Sequence, residues 1–112
     1  MSITINELIE FFVDTLQKCG MYLLEKNDEY IGYCIFEEFD SGATSFLHDD
    51  TLLRLKTANL INENVSQKCS ELRSKFMKLQ NTDHWNVDSV KFTKEWREIL
   101  ELSDEIKSLM AI

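Results

Sequence analysis

The sequence predicts an all-α fold, a compact bundle of about five helices in one domain that spans residues 1–112. The chain contains no proline and only three glycines, although β-sandwiches and barrels draw on both residues for their many turns. Apolar residues recur at helical spacing along the stretches 5–24, 62–80 and 88–110. A composition of 44% hydrophobic and 29% charged residues is typical of a globular domain, and 112 residues suit a single one.

The first predicted helix covers about residues 5–26. Thr4 and Glu7 have the spacing of a capping box at its start. Gly20 lies within the apolar stripe, where a glycine either permits the close approach of another helix or ends the helix early. Because the stripe continues in phase beyond Gly20, one long helix is the favoured interpretation.

A second helix is predicted from Asp28 to about Phe39, followed by a loop over residues 40–48. Asp28 and Glu29 are favourable in a first helical turn. The aromatic and β-branched residues of 30–36 would also suit a strand, but no partner strand is visible elsewhere. The small polar residues of 40–48 indicate the loop.

A short third helix and a longer fourth helix are predicted next. Asp49 or Asp50 caps the third helix, which ends near Asn59, a residue that tolerates the left-handed conformation. Asn62 caps the fourth helix, which runs to about Gln80.

The fifth predicted helix follows a polar connection over residues 81–86. Asp88 is its predicted cap, with Val87 and Phe92 placed as a hydrophobic staple. Its inward residues are predicted to be Phe92, Trp96, Ile99, Leu100, Ser103, Ile106 and Met110.

The sequence names no catalytic, metal or cofactor site. Cys19, Cys34 and Cys69 all fall on apolar helical positions, which predicts buried, structural thiols. His48 and His84 are the only histidines, and neither accompanies a nucleophile motif or a phosphate-binding glycine loop. We therefore expect a protein that is not an enzyme and that needs no cofactor and no metal.

The expected location is a reducing cytoplasm. An odd number of widely spaced cysteines argues against a disulfide framework. The first residues lack the pattern of a secretory signal, and no window approaches the roughly 18 apolar residues of a membrane span.

Nearly all of the excess negative charge lies in residues 27–50, which hold seven acids and no lysine or arginine, within a chain of net charge −8. Such a segment repels nucleic acid and attracts basic surfaces. The same segment holds five aromatic residues, too many for one helix to bury on one side. Exposed rings among carboxylates suit a protein-binding site, although a solvated acidic surface or a helix buried on most sides would also explain the pattern. The predicted contact residues are Tyr30, Tyr33, Glu37, Glu38, Asp40, Asp49 and Asp50.

Four stretches of the chain carry a family resemblance: 30–40, 46–54, 60–63 and 96–107. Together they resemble small acidic bacterial immunity proteins, which accompany polymorphic toxins, including those of contact-dependent growth inhibition. The resemblance implies a cytoplasmic protein that binds and neutralises a cognate toxin domain, often a basic nuclease, without chemistry of its own. The alternative from the residues alone is a non-catalytic adaptor or regulatory subunit that binds a basic host protein through the same face.

Overall fold

The computed structural model describes residues 3–112, and every regular element within that range is helical. In chain order the elements are α1 (Ile5–Gln17), a 3-10 helix (Met21–Glu25), α2 (Asp28–Gly32), a π-helical segment (Tyr33–Phe39), α3 (Asp40–Phe46), α4 (Asp49–Thr57), α5 (Glu63–Lys78), α6 (Val87–Phe92) and α7 (Lys94–Leu109). α2, the π-helical segment and α3 follow one another without a break, so they form one continuous helix, which we call the central helix. The predicted all-α bundle is confirmed.

Between residues 3 and 112, no helix combines the length and apolar character that crossing a membrane requires.

The interior is organised around an aromatic cluster that joins four parts of the chain. Phe36 and Phe39 come from the π-helical segment, Phe76 from α5, and Trp85 and Trp96 from the connection before α6 and from α7. Neighbouring rings in this cluster lie 4.9–5.8 Å apart between centroids, most of them edge to face, which is the favoured geometry. The central helix is thereby fixed against α5 and α7.

The prediction of one helix over 5–26 is wrong, because α1 ends at Gln17 and a 3-10 helix follows at Met21–Glu25. The chain turns at Gly20 and passes so close to α7 that a Cβ atom there would lie 2.5 Å from Asp104 Oδ1 and 2.7 Å from Lys107 Nζ. Gly20 lies three residues beyond the end of α1 and permits this close approach to α7. The predicted capping box at Thr4 and Glu7 is confirmed.

Side chains of α7 satisfy the carbonyl groups at the end of α1. The buried Ser103 hydroxyl donates to the carbonyls of Leu16 and Cys19, at 3.2 and 2.8 Å. Lys107 Nζ also donates to the Cys19 carbonyl at 2.7 Å, and Asp104 accepts from the Met21 amide at 3.0 Å. A cation at a helix C-terminus is favourable. The side chains of α7 therefore supply hydrogen bonds that a further turn of α1 would otherwise have supplied.

The loop predicted over residues 40–48 is instead helical through Phe46, and the strand considered for 30–36 is helical as well. The small residues serve packing: Gly42 and Ala43 are buried. A Cβ atom on Gly42 would lie only 2.3 Å from Thr15 Oγ1. The absence of a side chain at this position allows α3 to approach α1 closely.

The π-helical segment keeps the central helix facing the core. Ile31, Ile35, Phe39, Ala43 and Leu47 are all fully buried and recur every fourth residue. At the α-helical 3.6 residues per turn, this spacing would carry the last of them about 160° around the axis from the first. The wider i→i+5 turns of a π-helix wind less per residue and reduce that drift.

Two predicted helix caps are wrong. His48 caps α4, with its Nδ1 accepting from the Asp50 amide at 3.2 Å, and Asp49 and Asp50 occupy the first turn. Asn86 caps α6 in place of Asp88. The other two terminal predictions are confirmed, because Asn62 caps α5 and Asn59 has the left-handed φ of 62°.

The fifth predicted helix is divided in two at Thr93, which ends α6 and caps α7. Phe92, predicted to face inward, is 79% exposed. The remainder of its apolar stripe packs inward as predicted, with Trp96, Ile99, Leu100, Ser103 and Ile106 buried and Met110 partly so. Because the helix is broken at Thr93, the Phe92 side chain points into solvent while the apolar side of α7 packs on the core.

The three cysteines are unpaired and buried, as predicted. Burial raises the pKa of the Cys19 and Cys69 thiols to about 12. A thiol of this kind is protonated at neutral pH and unreactive.

Candidate partner-binding surface

The outer side of the central helix presents tyrosines among carboxylates. Tyr30 and Tyr33 are 44% and 50% exposed, Glu29 and Glu37 are exposed, and Glu38 is half-buried. We call these five residues the acidic–aromatic face. The prediction that some rings of residues 27–50 lie at the surface is confirmed, whereas Phe36 and Phe39 pack inward.

Hydrogen bonding fixes part of this face. The Tyr33 hydroxyl donates to Glu38 Oε1. This hydrogen bond, together with the charge of the Glu38 carboxylate, raises the pKa of Tyr33 above its ordinary value, because a neutral phenol is the donor. The Lys26 ammonium lies 5.5 Å from the centre of the Tyr30 ring, within cation–π range. Both rings are therefore held in position.

The face is shallow. A depression of about 390 Å³ lies among Asn27, Glu29, Tyr30, Tyr33 and Glu37. A small-molecule site is a concave pocket that encloses most of its ligand, and this depression is open to solvent. An open surface with aromatic and charged side chains is suited to a protein partner.

Not every acid of the 27–50 segment belongs to this face. Asp28 pairs with Lys91 of α6 at 3.0 Å, and Asp40 accepts a hydrogen bond from Gln80 at 3.1 Å. Both are thereby engaged within the fold.

Asp49 and Asp50 lie beyond the far end of the central helix from Tyr30. That helix is about 27 Å long at 1.5 Å per residue. The two exposed acids occupy the first turn of α4, where negative charge is favourable to the helix. The structure therefore separates six of the seven predicted contact residues into two groups, with Asp40 in neither. A contact through Asp49 and Asp50 would be distinct from one through Tyr30.

The other candidate chemical groups are the histidines, the cysteines and the remaining carboxylates. Over residues 3–112, His, Cys, Asp and Glu form no group of three that could hold a metal ion. His84 lies 3.4 Å from Glu95, and His48 caps α4. Both histidines thus have local partners on the surface, while the three cysteines lie in the core.

Sequence reasoning missed the exposed aromatic at Phe92 and the basic residues around it. The signal was Thr93, a residue type favoured at N-caps, whose hydroxyl accepts from the Trp96 amide. An N-cap at that point predicts a new helix beginning at residue 94 and frees Phe92 from the stripe of α7.

Comparisons of the chain with models of known protein families, with curated proteins and with solved structures found no match.

Proposed function

We propose that the protein is an immunity protein that binds and neutralises a cognate toxin domain, a basic protein of the nuclease type, in the cytoplasm. The observation that carries the proposal is the acidic–aromatic face, where Tyr30 and Tyr33 are half exposed among three glutamates. The resemblance of the sequence to acidic immunity proteins supports the same function.

The two kinds of side chain contribute differently to such a complex. Carboxylates attract a basic partner over a distance and accelerate encounter. Exposed tyrosines become buried anchors in the complex and slow its dissociation. Rapid, durable capture is what neutralising a toxin requires.

The rigidity of the face also favours binding. Phe36, on the same π-helical segment, packs against Trp85 and Trp96 at centroid distances of 4.9 and 5.7 Å. Since the backbone below the face is already fixed, little ordering entropy remains to oppose association. The face could occlude a toxin active site without any reaction of its own.

The test is co-expression of the chain with the protein encoded directly upstream of its gene, where we expect the cognate toxin, followed by binding kinetics with the purified pair. Wild-type protein should restore growth. Glu37→Lys should slow association by about tenfold at low salt, since steering acts on the on-rate. Tyr33→Ala should accelerate dissociation by roughly tenfold or more.

The matched control is Glu71→Lys, the same charge reversal at an exposed position of α5. It should leave both rates close to wild type. Failure to protect cells from the neighbouring toxin would overturn the immunity proposal. Protection with unchanged rates in well-folded Glu37→Lys and Tyr33→Ala would instead remove the acidic–aromatic face from the interface.

A further inference from the structure

The most exposed large apolar side chain of the described residues lies at the junction of α6 and α7. Phe92 is 79% exposed, although hydrogen bonds fix the backbone beside it. The Thr93 hydroxyl donates to the Ser89 carbonyl at 2.7 Å, and the same residue caps α7. The fold therefore holds this ring in solvent by a specific junction.

Basic side chains surround the ring. Lys91, Lys94 and Arg97 line a groove of about 270 Å³ beside Phe92, with Leu24 and Val90 as its apolar part. Lys91 pairs with Asp28 and Arg97 with Glu101 at 3.0 Å. Lys94 is exposed and has no ion pair with any residue from 3 to 112. We call Lys91, Phe92, Lys94 and Arg97 the basic elbow.

The basic elbow borders the acidic–aromatic face. The Asp28–Lys91 ion pair joins the start of the central helix to α6, and a Cβ atom on Gly32 would contact Val87 at 3.5 Å. α6 therefore lies beside α2, and surfaces of opposite charge, each with an exposed aromatic ring, meet along this border.

We propose that two copies of the chain associate about a two-fold axis through this border, with the basic elbow of each copy on the acidic–aromatic face of the other. A two-fold contact uses the same patch on both subunits and must be self-complementary. Two adjacent surfaces of opposite charge meet that requirement. The two-fold rotation places the basic elbow of each copy opposite the acidic–aromatic face of the other, so that acids face bases at both contacts. Lys94 then gains a carboxylate partner in Glu29, and Phe92 is covered beside Tyr30.

The association is weak and reversible. A standard interface covers about 800 Å² per partner, a substantial part of the 6488 Å² exposed by one copy. A net charge of −8 on each copy opposes such an approach. The dimer should therefore depend steeply on protein concentration. It requires no toxin and goes beyond the proposed function.

The test is sedimentation equilibrium of the purified protein over a wide concentration range. The wild-type mass should rise from 13.2 kDa toward twice that value. Lys94→Glu and Glu29→Lys should each abolish the rise, because each places like charges opposite one another at both contacts. An equimolar mixture of the two variants should recover it, because both contacts are then acid against base.

Phe92→Ser should also abolish the rise in mass, whereas Leu53→Ser should not, since Leu53 is an exposed apolar residue of α4 outside the border. A wild-type protein that stays monomeric at every concentration overturns the proposal. So does a dimer that survives Lys94→Glu and Phe92→Ser, since its contact then lies elsewhere. No toxin enters these measurements, so their failure is distinguishable from failure of the immunity proposal.

Discussion

Two glycines of the central helix should respond in opposite directions to the same substitution. Gly32 has ordinary helical angles, and a Cβ atom there would meet only Val87, at 3.5 Å. Gly32→Ala should stabilise the fold by roughly 0.5–1 kcal/mol, because alanine loses less backbone entropy than glycine in a helix.

Gly42→Ala should destabilise the fold. The new Cβ atom would lie 2.3 Å from Thr15 Oγ1 and 2.9 Å from Thr15 Cβ. Thr15 is buried, and its hydroxyl donates to the Phe11 carbonyl at 2.8 Å, so rotating the side chain sacrifices that hydrogen bond. Overpacking costs about 1–3 kcal/mol, against a gain in helix propensity of about 1 kcal/mol, so the net loss of stability should reach up to about 2 kcal/mol.

Urea unfolding followed by far-UV circular dichroism measures both effects. With a slope of about 1–3 kcal/mol per molar urea, the two midpoints should move apart in opposite directions. Adding Thr15→Ala to Gly42→Ala should recover part of the loss, because it removes the closest atoms. If Gly42→Ala stabilises as much as Gly32→Ala does, α1 and α3 do not approach as described.

Two further predictions concern α1 and the buried thiols. Lys107→Met should lower the free energy of unfolding by about 2 kcal/mol, since it removes a charged donor from the Cys19 carbonyl at the end of α1; an unchanged urea midpoint would contradict this. Cys19 and Cys69 have a native pKa near 12 against 9.0 for the free thiol. The thiols of the unfolded chain therefore ionise at lower pH than those of the folded chain. The stability that the buried neutral thiols contribute is complete below pH 9 and should be lost between pH 9 and 12. Cys19→Ala and Cys69→Ala should each make this loss smaller in thermal melts recorded at different pH values. At neutral pH, a thiol reagent should label these two cysteines only as fast as the whole fold opens.

Local signals predicted much of the fold. The capping box at Thr4 and the N-cap at Asn62 are correct, because a cap depends on residues within one turn. The inward positions of Cys69 and Trp96 are correct as well, because helical periodicity reports directly on the buried side.

The errors occur where tertiary contacts outweigh local preference. Nothing near Gly20 in sequence reveals that Asp104 and Lys107 lie against it. The polar stretch from Asp40 resembles a loop, but Gly42 is helical because it packs on Thr15. Such contacts join residues far apart in the chain, and a single sequence does not record them.

The sequence indicated only part of the acidic–aromatic face, for a related reason. Charge density along the chain correctly indicated that Tyr30 and Tyr33 lie among carboxylates at the surface. It could not show that Asp28 and Asp40 are engaged by Lys91 and Gln80, because those partners come from distant elements.

The π-helical segment implies that the central helix holds one residue more than an α-helix needs to span the same distance. The buried positions before and after this segment follow one another at intervals of four residues. Removing one exposed residue between Ile35 and Phe39 would shorten one of those intervals to three residues. Alternating steps of three and four keep residues on one side of an α-helix. Omitting Glu37 should therefore leave both ends of the helix packed as they are, whereas an equal deletion in α5 or α7 would turn a buried stripe outward. Segments of this type often occur at functional sites, and here the surplus residue belongs to the acidic–aromatic face. Shortening the chain by one residue would thus separate what this segment contributes to recognition from what it contributes to folding.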